Sequence, residues 1–148
     1  MNIFEALRAD HDTQRELADA LIETHGESDE RDRLFAMLKT ELKAHAVAEE
    51  RCFYIPLMKD DLTQEKSRHS VAEHHEIDEM LEKLEGTEYS SPGWLAEAKN
   101  LHHRVYHHLK EEEHEVFQMA GKVLTDDQKN SLADAYEDVM TEQRDKDW

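Results

Sequence analysis

Residues 38–53, LKTELKAHAVAEERCF, and residues 101–119, LHHRVYHHLKEEEHEVFQM, decide the fold. Successive residues of an α-helix turn by about 100°. On that spacing Leu38, Leu42, His45, Glu49 and Cys52 share one stripe of a helix. Leu101, Val105, His108, Glu112 and Met119 share the equivalent stripe of another. Each stripe is apolar except for one His and one Glu, a single turn apart. A helix that aims its polar pair along its greasy face carries chemistry into a core.

The two stretches are copies. A shift of 63 positions carries His45 onto His108, Glu49 onto Glu112, Leu38 onto Leu101 and Leu42 onto Val105. The same shift carries His11 onto His74. Phe4, Ala18 and Ile22 share a helical face with His11, and Ile77, Leu81 and Leu84 share one with His74. An internal repeat of this kind predicts two related helical hairpins. Each hairpin contributes one His and one His-x-x-x-Glu to a common centre.

Caps and breakers set the helix limits. The first helix runs from about Asn2 to His25 and stops at Gly26, the residue that best tolerates a left-handed C-terminus. The second starts near Ser28 and is kinked or ended by Pro56. The third follows Thr63 to Gly86. Ser91 and Pro92 form an N-cap and first-turn pair for the fourth, which reaches about Ala120. Thr125 and Gln128 fit a capping box for a fifth helix carrying Leu132, Ala135, Tyr136 and Val139. The connections are short. The expectation is one all-α domain over 1–148: an up-down-up-down four-helix bundle over about 1–122, with an additional C-terminal helix over about 126–145. The fifth helix would cover the bundle or offer a surface for a homodimer.

Composition agrees and excludes. With 38% hydrophobic residues, 4 Gly and 2 Pro in 148, the chain suits helices with one buried stripe. Its net charge of −18 repels phosphate backbones and anionic lipid heads, which argues against nucleic acid and membrane as partners. Cys52 is alone, so no internal disulfide forms. The N-terminus lacks a basic segment followed by an apolar run, and no apolar stretch approaches the roughly 18 residues of a spanning helix. A cytoplasmic location is the expectation. There is no His-Glu-x-x-His helix and no glycine-rich phosphate loop.

Four imidazoles and two carboxylates inside an apolar bundle are costly without compensation. Two cations supply it. His11, His45, His74 and His108 would provide two nitrogens to each ion, and Glu49 and Glu112 would bridge both. That leaves room for a bridging oxide or hydroxide and an open position. The donor set suits iron, manganese or zinc. His75 competes with His74, and Glu113 with Glu112, on weaker placement within the stripes. No residue is marked as a catalytic nucleophile; Cys52 reads as packing.

The segments ADHD (9–12), HAVAEERCFYIP (45–56), EHHEID (73–78) and HHLKEEEHEVF (107–117) occur in order and resemble the ligand motifs of hemerythrin-like, or HHE cation-binding, domains. The resemblance spans about residues 1–122 and implies a non-haem di-iron site in a four-helix bundle. It implies His11, His45, His74 and His108 as terminal ligands and Glu49 and Glu112 as bridges. Two departures bear on function. Asp78 stands where oxygen-carrying relatives have a further His, and the fourth-helix bridge is a Glu at i+4 rather than an Asp at i+5. The missing histidine points away from simple reversible oxygen carriage. It points toward the broader bacterial group associated with oxygen, nitric oxide, peroxide or iron handling, with an electron donor or partner protein supplied from outside. An iron storage or delivery module, or an interaction bundle holding zinc, is the alternative.

Overall fold

The computed structural model describes residues 1–148, and its regular structure is entirely helical. In chain order the elements are α1 (Ile3–Ile22), α2 (Asp29–Glu49), α3 (Ile55–Leu57), α4 (Gln64–Glu85), α5 (Pro92–Glu111), α6 (Phe117–Val123) and α7 (Asp126–Arg144). Two five-residue π turns, Glu50–Tyr54 and Glu112–Val116, splice α2 to α3 and α5 to α6 into longer rods. No helix is long and apolar enough to cross a membrane.

The ends follow local chemistry. Asn2 and Glu5 form a reciprocal capping box on α1, and Thr125 and Gln128 form another on α7. Ser28 accepts from the backbone N–H of Arg31, and Ser91 accepts from that of Gly93 with Pro92 in the first turn of α5. Gly26 has φ +55, and α1 already ends at Ile22, short of His25.

The second rod ends at Leu57, one residue after Pro56, and the fourth runs past Ala120 to Val123. In each π turn the ladder slips by one residue: the N–H of Ile55 donates to the carbonyl of Glu50, and that of Phe117 to Glu112. The widened turn relieves the clash that Pro56 would cause in a regular helix. Beyond each turn the buried face rotates. Met119, on the stripe extrapolated from Leu101, is only half-buried, whereas Val116, Phe117 and Ala120 are buried.

The apolar interior divides into two clusters. The first gathers Ile3 and Leu7 of α1, Ala44 and Ala48 of α2, Phe53, Tyr54, Leu57, Val116, Phe117 and Ala120, together with Ala133, Tyr136 and Met140 of α7. The second gathers Leu17 and Leu21 of α1, Leu34 to Leu42 of α2, Ile77 to Leu84 of α4, and Trp94 to Leu109 of α5. Helices α1 and α2 therefore run in opposite senses between them. Leu132 and Val139 of α7 pack against the first cluster, so the apolar side of α7 faces the core. The six residues singled out by the repeat lie between the two clusters.

Candidate metal centre

Glu49 is the last residue of α2 and Glu112 opens the second π turn. Both carboxylates are essentially unexposed, at 0% and 1%. The rings around them form two pairs: His11 and His45 have centroids 5.1 Å apart, and His74 and His108 4.9 Å apart. His11 Nε2 lies 3.2 Å from Glu112 Oε1, and His45 Nε2 lies 3.3 Å from Glu49 Oε2. His74 Nε2 lies 3.1 Å from Glu49 Oε1, and His108 Nε2 lies 3.5 Å from Glu112 Oε2. Ligand atoms of His11, His45, Glu49 and Glu112 all fall within 4.8 Å of one another, as do those of Glu49, His74, His108 and Glu112. The structure thus brings all six sequence-singled residues together, in two groups of four that share both carboxylates. His75 is exposed, and Glu113 turns to the outer side of His11 instead of the centre.

Every imidazole is held from behind. His11 Nδ1 lies 2.6 Å from Glu113 Oε2, and His74 Nδ1 lies 2.9 Å from Glu50 Oε2. His108 Nδ1 lies 2.8 Å from Glu73 Oε1, and His45 Nδ1 lies 2.6 Å from the Tyr136 hydroxyl. The carboxylates can only accept, so each fixes the ring proton on Nδ1 and leaves the Nε2 lone pair facing inward. Tyr136 donates its own proton to Asp10 Oδ2 at 2.5 Å and so accepts from His45.

These outer partners obey the repeat. The 63-residue shift carries Glu50 onto Glu113 and Asp10 onto Glu73. Glu50 and Glu113 each back the histidine of the other hairpin. Glu73 binds His108 directly, while its counterpart Asp10 reaches His45 only through Tyr136. A second asymmetry lies at the two central carboxylates: Tyr54 donates to Glu112 Oε2, and the position equivalent to Tyr54 is Phe117, which stacks on His11 with centroids 5.9 Å apart. The two halves are alike in their inward His and Glu residues and different in their hydroxyl groups. Sequence reading missed this outer set. The signal for Glu50 and Glu113 was present in the repeat; none marked Tyr136.

Seven inward atoms have no hydrogen-bond partner: the four Nε2 atoms, both oxygens of Glu49 and Oε1 of Glu112. At about 1–3 kcal/mol for each unsatisfied buried group, that set rivals the whole ~5–15 kcal/mol stability of a domain. All seven are of types that ligate metal and all converge, so bound cations would satisfy them together. Without cations, protons take that role. Against the opposing effect of burial, the facing carboxylates of Glu49 and Glu50 raise His74 to about 10. Burial and then the neighbouring Glu49 push Glu112 above the usual carboxylate range.

Beside the centre lies a cavity of about 10 Å³, room for a molecule the size of water. Gln14, Leu42, His45, Ala46, His74, Ile77, Asp78 and His108 line it. Gln14 is 1% exposed and its amide nitrogen has no partner. Asp78 pairs with Lys43 at 3.2 Å on the outer side.

Residues 2–120 match the sequence profile of the hemerythrin HHE cation-binding domain. The fold is similar to the crystal structure of a hemerythrin HHE cation-binding domain-containing protein from Mycobacterium kansasii, with TM-score 0.88 and 26% identity over 97% of this chain and 88% of that one. No curated protein matches the chain.

Proposed function

The chain belongs to the hemerythrin HHE cation-binding domain family, and from that premise we propose that it is a non-haem di-iron protein that binds, senses or detoxifies oxygen, nitric oxide or peroxide at an open metal position. One observation carries the reading: seven orphaned donor atoms converge beside a cavity with room for a molecule the size of water. His11 and His45 would hold one ion, His74 and His108 the other, and Glu49 and Glu112 would bridge them. Such a pair supplies inner-sphere binding and electron transfer.

The remaining residues set the conditions. Leu42, Ala46 and Ile77 make the cavity partly apolar, which favours small uncharged gases over hydrated ions. The unpartnered Gln14 amide is a donor available to a small ligand in it. The Tyr54 hydroxyl offers a proton beside Glu112. Asp78 in place of a further histidine leaves the ions with fewer imidazoles than a reversible carrier has. We read the scaffold as one domain, an up-down-up-down four-helix bundle capped by α7. The alternating chain direction between the two apolar clusters supports this, as does the reach of Tyr136 into the centre. A cytoplasmic setting is part of the proposal, and electrons would come from a separate donor or partner protein.

The test is metal analysis with a visible spectrum of the air-oxidised protein, then anaerobic titration of the reduced protein with each gas and with peroxide. Two irons per chain and a spectral change with at least one ligand are expected. Iron spectra that never change would remove the gas reading and favour iron storage or delivery; zinc in place of iron would remove both.

A further inference from the structure

The His-x-x-x-Glu spacing that arms the core recurs on the surface of the same bundle. On α4 it is His69 and Glu73; on α5 it is His107 and Glu111, each one residue before the core pair His108 and Glu112. The two outer pairs meet. His69 Nε2 lies 3.2 Å from Glu111 Oε1 and 3.7 Å from Glu73 Oε2, and His107 Nε2 lies 3.3 Å from Glu111 Oε2. Ligand atoms of His69, Glu73 and Glu111 all lie within 4.8 Å of one another. The side chains of His69 and His107 are 53% and 56% exposed, so the group opens to solvent.

We propose that His69, Glu73 and Glu111, with His107 holding the second oxygen of Glu111, form an outer, solvent-accessible site for a divalent transition-metal ion. Two carboxylates and an imidazole give the charge and donor softness that borderline ions such as Zn²⁺, Co²⁺ and Fe²⁺ prefer over Ca²⁺ or Mg²⁺. The i,i+4 spacing on two packed helices presents the donors without a loop having to order.

The position of Glu73 gives the site its meaning. Its Oε1 receives the Nδ1–H of His108, while its Oε2 faces His69. One carboxylate therefore belongs to both the outer site and the inner shell. An ion on the outer site draws charge from Glu73 and weakens its hold on His108. This coupling rests on the reading of His108 as a ligand; the outer site itself does not.

The full-length chain is dialysed to equilibrium against Co²⁺ and the ions per chain are counted. The double variant His69→Ala/His107→Ala changes two exposed side chains and is expected to hold one ion fewer than the wild type. Glu49→Ala is expected to lose inner ions and keep that outer one. Equal counts in the wild type and the histidine double variant would overturn the proposal. If the inner reading alone is wrong, Glu49→Ala changes nothing while the double variant still loses one ion.

Discussion

The hydroxyl of Tyr136, on the last helix, lies 2.6 Å from Nδ1 of His45 on the second. The same oxygen donates to Asp10, and Asp10 in turn accepts from Arg144, which also binds Glu41. A residue 91 positions away in sequence thus fixes the ring of one candidate ligand, through a chain of groups tied to the far end of α7. The other three imidazoles are fixed by carboxylates alone. Tyr136→Phe should therefore weaken binding at the His11–His45 position by about 10–100-fold, the usual effect of removing such a partner. Competition with a chromophoric chelator measures it. Unchanged affinity for both ions would show that Tyr136 only packs.

Glu49 meets both histidine pairs, so its loss should empty the centre instead of halving it. With free metal about 1,000-fold above Kd, binding stabilises a protein by about 4 kcal/mol. For a chain of 148 residues that corresponds to roughly 8–16 °C in Tm. Glu49→Ala, which removes two ions, should lower Tm by at least that amount in metal-containing buffer and lose most of its response to added metal. Chelator added to the wild type should produce a similar drop. A variant as stable as the loaded wild type would contradict the bridging role.

Protons and cations compete for the same atoms. His74 is raised from 6.5 to about 10 in the protein without metal, despite burial, by Glu49 and Glu50. A raised histidine stabilises the fold fully below its unfolded value and loses that contribution as pH rises through the folded one. The metal-free protein should therefore lose stability between about pH 6.5 and 10, while metal affinity rises over the same range. Loading at pH 7 should also release protons, seen by calorimetry in buffers of different ionisation enthalpy. Proton uptake, or no change, would contradict the ligand role of His74.

The end of the bundle away from α7 tests independence. Arg31 is 2% exposed and donates to Thr24 Oγ1, Thr24 O and Tyr89 O, at 2.9, 2.7 and 2.7 Å. Its guanidinium lies 4.4 Å over the ring of Trp94. It pins the α1–α2 connection to the α4–α5 connection. Lysine lacks the planar fork, so Arg31→Lys should cost about 2–4 kcal/mol on denaturant unfolding and leave metal stoichiometry unchanged. A loss below about 0.5 kcal/mol would mean that the connections hold without it.

The register of His11, His45 and Glu49 against His74, His108 and Glu112 made the centre legible before any coordinates, because burial and period act on one helix at a time. The outer shell was less legible. Glu50 and Glu113 sit beside ligands in a chain with 36 acidic residues, where a carboxylate carries little information. Tyr136 was visible as an apolar position of α7, but its use depends on how α7 docks, which no local pattern encodes. Met119 misled for a different cause: extrapolation at a constant 100° per residue fails across a π turn. Pro56 could suggest the first such turn; the second contains no proline, and Gln118 follows Phe117.

Those widened turns fix the gauge of the centre. A side chain can be re-aimed by a rotamer change, but Glu49 and Glu112 leave the backbone where the ladder itself has slipped. The distance between the two carboxylates is then set by two rigid rods more than by flexible glutamate arms. An incoming ion must conform to the frame, so selection among metals falls to fit instead of bare attraction. Excising His114 would close the second π turn into a regular spiral and move Ala120 to the stripe position that Met119 now occupies, and the frame would lose the widened turn beside Glu112 while each donor remained in the chain.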